Sequence, residues 1–428
     1  MGRRSVEIAS ALFFGAAVLL ACNSIIGVED VRQKSTTYRD GGSSGSSGVG
    51  DDDDDDDIVN PIDGGPTEPS LPALALGASH SCARMVDGTV RCWGESRLGQ
   101  LGDGINLDGG PEPQPSLKPK SVPGITDAVA IGAGSNHTCV IRTGGKLSCW
   151  GFNYSGQLGT GNKNTASAPV DVPNLGEVTA VAGGGTATCV ALADKTASCW
   201  GDNDFGQLGD GTKNESSSPV KVKDLTGVVA VAVGSLHSCA VVDVGDVYCW
   251  GNNDKGQLGN GSTTQSLVPQ KVGGLTDAVQ VVAAASFSCA RQKNGRVACW
   301  GNNDVGQLGN GVASPTPNPS PILVASLTDA VSLGAGLQHA CAVRQTGEVV
   351  CWGEGDWGQL GSGRDAGSPM IVTVASLKDA RAVWGGAFRT CAVRAGGKAQ
   401  CWGTNNYGEL GDGSKNRAYL PVDIVDFP

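Results

Sequence analysis

Fourteen cysteines stand in seven pairs, each ten positions apart: Cys82 with Cys92, Cys139 with Cys149, Cys189 with Cys199, Cys239 with Cys249, Cys289 with Cys299, Cys341 with Cys351, and Cys391 with Cys401. Two chemistries use paired cysteines, a disulfide and a thiolate metal site. Ten-residue spacing without a Cys-x-x-Cys element is a poor zinc pattern. The pairs therefore read as seven disulfides, on condition that the chain leaves the reducing cytosol. All four histidines, His80, His137, His237 and His339, stand two residues before the first cysteine of a pair; Ala187, Phe287 and Arg389 take that place in the other copies. A metal-binding ring of imidazoles is one reading. Replacement by Ala and Phe favours another, a repeated structural position whose imidazole bonds the backbone. No Ser/His/Asp or Cys/His constellation stands out from the repeat, and no carboxylate pair is unique to one copy. Cysteines held in disulfides cannot be nucleophiles. The expectation is a non-enzymatic protein with no metal and no cofactor.

Elements that could position these residues follow from the punctuation. A tryptophan follows the second cysteine of every pair (Trp93, Trp150, Trp200, Trp250, Trp300, Trp352 and Trp402), so one unit of about fifty residues is copied seven times. In the copy 218–261, short valine-rich runs alternate with Gly, Asp and Asn turns: a strand around Pro219, then Val228 to Val233, Ser238 to Val242, and Asp246 to Trp250. Such runs argue for four strands per unit and no helix. Register is testable at Cys341 and Cys351. A three-residue loop, Gln345-Thr346-Gly347, joins the two strands, and its last residue needs a left-handed conformation that suits glycine. Gly88, Gly145, Gly245, Gly295 and Gly397 are the equivalents, and Lys195 alone breaks the pattern. Counting outward puts the cysteines in a non-hydrogen-bonded pair, where the two Cα atoms approach within disulfide range.

The fifteenth cysteine, Cys22, follows Arg3, Arg4 and an apolar stretch from Ile8 to Leu20 that is short for a membrane span. Leu19-Leu20-Ala21-Cys22 resembles a bacterial lipoprotein signal, which implies removal of 1–21 and acylation of Cys22. Asn23, in place of aspartate, points to the outer membrane. Residues 22–70 then read as an acylated cysteine followed by a disordered tether rich in Gly, Ser and Asp. The run Asp51–Asp57 is read as a solvated spacer; a calcium site would need a turn to gather separate carboxylates. Residues 23–70 carry twelve acidic and three basic side chains, −9 of the net −11, so the part from Leu71 on is nearly neutral. No Lys/Arg stripe runs through it, which argues against nucleic acid as a partner.

The segment after each of these tryptophans repeats Gly-x-x-x-x-Gly-Gln-Leu-Gly-x-Gly, with Glu409 for Gln in the last copy, as in 201–211 (GDNDFGQLGDG) and 251–261 (GNNDKGQLGNG). With Gly-x-x-His-x-Cys before it, this string resembles the repeat of the regulator of chromosome condensation family. The resemblance implies a seven-bladed β-propeller of four-stranded antiparallel blades over 71–428. A proline-led strand precedes six repeats but not the first, so the C-terminal strand 420–425 is expected to complete the first blade and close the ring. The eukaryotic namesake implies guanine-nucleotide exchange on a small GTPase, which an exported protein would not meet. A secreted bacterial relative that grips β-lactamases implies a protein-binding scaffold instead, and a surface lectin or adhesin is a further alternative. The expected partner is an envelope or extracellular protein, bound by a monomer anchored to the membrane through lipid. Residues that vary on the fixed frame are the candidate contacts: Trp357 and Tyr407 on neighbouring blades, and Phe152, Tyr154 and Phe205 as a second group. The proline-rich loop Ile105 to Lys120 reads either as a tolerated surface insertion or as an arm.

Overall fold

The computed structural model describes residues 71–105 and 113–427. The lipidation, tether and calcium readings at Cys22 and Asp51–Asp57 lie outside the described residues, as do residues 106–112 of the proline-rich loop. The end of that loop, Ser116–Ser121, is a strand.

Alternation of small and β-branched residues makes each copy a sheet. In the fourth copy, Val228–Val233 pairs antiparallel with His237–Val242, which pairs with Val247–Gly251, which pairs with Ser266–Lys271. Seven such four-stranded sheets account for all the described strands. They span 73–121, 128–171, 178–221, 228–271, 278–323, 330–373 and 380–423, here blades 1 to 7. First strands of successive blades pack against one another, and that of blade 7 packs against that of blade 1. The chain is an all-β, seven-bladed propeller. Because neighbouring strands are antiparallel, first-to-second turns and third-to-fourth loops share one face, called upper. The cysteine hairpins and the passages between blades share the lower face.

The proline-bearing strand closes a blade instead of opening one. Ser216–Lys221, with Pro219, bonds to Ala197–Gly201 of the copy before it, pairing Cys199 with Val220. As the outermost strand it tolerates a residue without an N–H. Blade 1 is therefore complete with Ser116–Ser121. The C-terminal strand, Ala418–Asp423, pairs with Ala399–Gly403 of blade 7 and does not enter blade 1. The expected strand exchange is thus corrected, and side chains close the ring. Trp93 Nε1 and Ser81 Oγ of blade 1 donate to the Glu409 carbonyl of blade 7 at 3.0 and 2.7 Å, and Phe427 packs edge-on to Trp93.

All seven cysteine pairs are disulfides, one inside each blade. Cys82 is joined to Cys92 in blade 1, Cys139 to Cys149 in blade 2, Cys189 to Cys199 in blade 3 and Cys239 to Cys249 in blade 4. Cys289 is joined to Cys299 in blade 5, Cys341 to Cys351 in blade 6 and Cys391 to Cys401 in blade 7. Each bridge links directly opposed residues of the second and third strands, with Cα atoms 4.0–4.1 Å apart. This is the narrow pairing that the register requires. The hairpin loop is as expected too: Arg344 and Glu348 pair, and Gly347 has φ +82°. Lys195 adopts the same left-handed conformation, at φ +62°, despite its side chain.

Candidate functional site

The repeated loop is inter-blade cement, as blade 3 shows. Asn203 Oδ1 accepts the Leu208 N–H at 3.0 Å, its Nδ2 donates to the Asn214 carbonyl at 3.0 Å, and Gln207 Oε1 accepts the Phe205 N–H at 2.9 Å. Leu208 is buried in the core. The Gln207 carbonyl then accepts both Trp250 Nε1–H (2.9 Å) and the Ser238 hydroxyl (2.8 Å) from blade 4. A Cβ on Gly209 would lie 2.7 Å from that indole nitrogen, so this position admits only glycine. Every tryptophan of the seven makes the equivalent bond.

The histidines belong to the same seams. Their Nε2 atoms meet Thr138, Thr188, Ser288 and Thr390 of the following blade at 2.8–2.9 Å. A hydroxyl, and not the expected backbone atom, is thus the partner. Thr188, Ser288 and Thr390 spend their own hydroxyl proton on a loop carbonyl, so the imidazole donates from Nε2. Each Nδ1 is buried without a partner. Burial holds His80, His237 and His339 down to about 3 and His137 to about 4; Arg389 and His137 add to the effect on His80. Each imidazole is committed to its own seam, and among the described residues no three His, Cys, Asp or Glu side chains converge as a metal site. Phe287 has Ala340 at the hydroxyl position ahead of it. Arg389, fully buried, reaches from blade 7 to the Ala78 carbonyl (2.8 Å), the His80 carbonyl and the Ser81 hydroxyl (3.1 Å) of blade 1.

Variable residues crown this frame on the upper face. Trp357 of blade 6 is 38% exposed. Its ring lies 5.9 Å from Phe388 of blade 7, and the Arg417 guanidinium sits 4.4 Å from its centre. Arg417 also donates to Tyr419 Oη at 3.2 Å and to the Asp356 carbonyl at 3.3 Å. Tyr407 of blade 7 is half-buried, with Arg97 of blade 1 over its ring at 6.0 Å. Aromatic rings and arginines thus run across blades 6, 7 and 1.

The model described as "RCC1-like domain" matches residues 37–278, more than half of the chain, and regulator of chromosome condensation (RCC1) repeats match 278–307, 294–343 and 330–359. The chain belongs to the RCC1-like domain family. The probable E3 ubiquitin-protein ligase HERC4 of Mus musculus is 36% identical over 96 residues, 22% of this chain and 9% of the ligase. The ultraviolet-B receptor UVR8 of Arabidopsis thaliana is 32% identical over 98 residues, 22% of this chain and 21% of the receptor. The matched segments thus span a small part of either relative. Prp20p of Saccharomyces cerevisiae superimposes with a TM-score of 0.70 at 21% identity, covering 84% of this chain and 88% of that one. Human WBSCR16 does so at 0.70 and 23% identity, covering 79% and 94%. These likenesses show the fold.

On this RCC1-like propeller Trp357 and Tyr407 sit on neighbouring blades as expected, each capped by its own arginine. Phe152 and Tyr154 of blade 2 touch at 4.6 Å between centroids, and Tyr154 is exposed. Phe205 is half-buried on blade 3, its carbonyl taken by Gln265 Nε2 at 2.7 Å. Sequence reasoning passed over Arg97, Phe388, Arg417 and Tyr419. The signal for Arg417 was its place just before a fourth strand, where blades 3 and 4 carry Glu215 and Gln265.

Proposed function

We propose that the protein is a cell-envelope lipoprotein, anchored through Cys22, whose propeller is a non-enzymatic scaffold binding a protein partner by its upper face. The single observation that supports it best is the Trp357 ring, which neighbours Phe388 and Arg417 while more than a third exposed. Trp, Tyr and Arg are the residues that dominate protein interfaces. The seven disulfides suit an oxidising compartment and so favour an envelope partner over the cytosolic GTPase of the exchange reading.

The test uses the full chain in envelope extracts. Trp357→Ala and Tyr407→Ala should each weaken a captured partner by about 1–2 kcal/mol with Tm nearly unchanged. If both lower Tm and leave capture intact, the rings are inter-blade packing and the reading fails. Mass spectrometry should find Cys22 acylated; an intact Met1 would remove the anchor. Nucleotide release accelerated on any GTPase would favour exchange instead.

A further inference from the structure

A small cavity of about 210 Å³ opens on the upper face above the seam between blades 5 and 6. Ser286 and Asn302 of blade 5, Leu337 and Gln338 of blade 6 and Phe388 of blade 7 line it. Phe388 is the residue whose other neighbour is Trp357. The cavity therefore adjoins the aromatic–arginine surface, and the inference drawn from it rests on the binding reading above.

Its chemistry is asymmetric. Asn302 is 7% exposed, and its Oδ1 is buried with no hydrogen-bond donor. An unmet buried acceptor costs free energy that a ligand's N–H can recover. Asn302 occupies the position directly after Cys-Trp-Gly. Glu354 has that place in blade 6, and its backbone N–H donates to the Gln338 carbonyl in the cavity wall at 2.9 Å. Glu354 Oε2 is also buried and unpaired. In blade 3 the same position is Asp202, whose Oδ2 accepts Gln207 Nε2 at 3.0 Å. In blade 6 the Glu354 carboxylate is one methylene longer and forms no such bond; the equivalent Gln359 Nε2 has no partner either. One unmet acceptor, Asn302 Oδ1, thus belongs to the cavity lining with Phe388, and a second, a carboxylate oxygen, belongs to Glu354, whose backbone is bonded to the lining residue Gln338. That set suits a donor-rich cation, which gains hydrogen bonds, a charge partner and a π face together.

We propose that this cavity receives a lysine or arginine side chain of the protein partner, bound by Asn302, Glu354 and Phe388. It makes the aromatic–arginine strip a docking surface with a basic anchor point at its edge.

The test titrates the full chain with three short peptides of one length carrying Lys, Arg or norleucine at the centre, read by saturation-transfer NMR and tryptophan fluorescence. Lys and Arg peptides should receive transfer at the methylenes beside the charge, and norleucine should not. Glu354→Gln and Phe388→Ala should each weaken binding about tenfold. Asn302→Asp, which places in blade 5 the residue that blade 3 already carries, should tighten it, a gain that misfolding cannot imitate. Binding of norleucine as tight as lysine would overturn the proposal, as would Lys-peptide affinity that neither Glu354→Gln nor Asn302→Asp changes. A free amine such as cadaverine, binding as well as the Lys peptide and unable to compete with the captured partner, would assign the cavity to a small amine and overturn the partner side chain. A partner lost on Trp357→Ala but retained on Glu354→Gln would overturn the cavity assignment while leaving the scaffold reading in place.

Discussion

Lowering the pH from about 7.5 to about 5 should remove much of the stability of this propeller, through its histidines. His80, His137, His237 and His339 are fully buried, neutral, and bonded from Nε2 to the next blade. Their folded values of about 3 to about 4 lie well below the ordinary 6.5. Below 6.5 the unfolded chain binds protons that the native seams refuse, so acid favours unfolding. Stability is intact above that value and is lost as pH falls toward the folded values. At about pH 5 each imidazole loses roughly 2 kcal/mol, and the four together up to roughly 8 kcal/mol. That is comparable with the whole stability of many domains. The half-buried Glu354 and Glu95, raised by burial, act in the opposite sense and offset part of the loss. The assay is urea unfolding with disulfides intact, followed by tryptophan fluorescence at each pH. The double variant His237→Phe with Ser288→Ala copies the Phe287–Ala340 seam that blades 5 and 6 already use. It should recover about 2 kcal/mol of the loss at about pH 5. Unfolding free energies equal at both pH values, or a double variant as acid-sensitive as the parent, would refute the reasoning.

Three further outcomes are expected. Lys195→Gly should raise stability by about 1 kcal/mol by relieving a left-handed side-chain residue; the exposed Lys195–Asp243 pair offsets little of this, and a lower Tm would count against it. Ala340→Thr should cost about 1–3 kcal/mol in chemical unfolding, because the added atoms meet Phe287 where other seams have histidine. Removing one bridge, as Cys239→Ser together with Cys249→Ser, should cost roughly 3 kcal/mol by the loop-closure estimate, measured against the intact protein under non-reducing conditions.

The blade was legible because its signals are local. Cys341 and Cys351 lie ten apart across a three-residue loop, and counting outward from Thr346 places them opposite each other. Blade boundaries were not local. Ser216–Lys221 precedes the Val228 run in the chain, yet its hydrogen bonds go back to Ala197–Gly201. Only the path of the intervening loop, set by Asn203 and Gln207, decides that. Ala418–Asp423 likewise bonds back to Ala399–Gly403 and stays in blade 7. The histidine position is legible as structural, but its partner is not, because Thr188 is fifty-one residues from His137 and nothing nearby marks it. The upper-face surface was half legible: Trp357 and Tyr407 stood out as aromatic, whereas Arg97 and Arg417 resembled ordinary solvated charges until the fold set them over those rings.

Departures from the repeat fall into two kinds, and the distinction bears on where binding occurs. Some are matched across a seam. Phe287 replaces histidine where Ala340 replaces a hydroxyl. Lys195 replaces glycine where Gly227 replaces the acidic residue found at Asp127, Glu177, Asp277, Asp329 and Asp379. There the Arg142–Asp127 type of ion pair, repeated at Arg344–Asp329 and Arg394–Asp379, gives way to Lys195–Asp243 between blades. Arg389 replaces histidine where blade 1 offers carbonyls. Each such change is accounted for by packing inside the ring. Other groups find no compensation within it, although Glu95 and Asn252 repeat two of the residue types in blades 1 and 4. Glu354 is one methylene too long for its glutamine, Asn302 has an acceptor with no donor, and Trp357 keeps exposed a ring that could have been small. The four histidine Nδ1 atoms are unmet too, but their imidazoles lie inside the seams, whereas Asn302 lines the upper-face cavity and Trp357 is on the surface. On the docking proposal, Asn302 and Trp357, which both adjoin Phe388, would be completed by a partner from outside the chain.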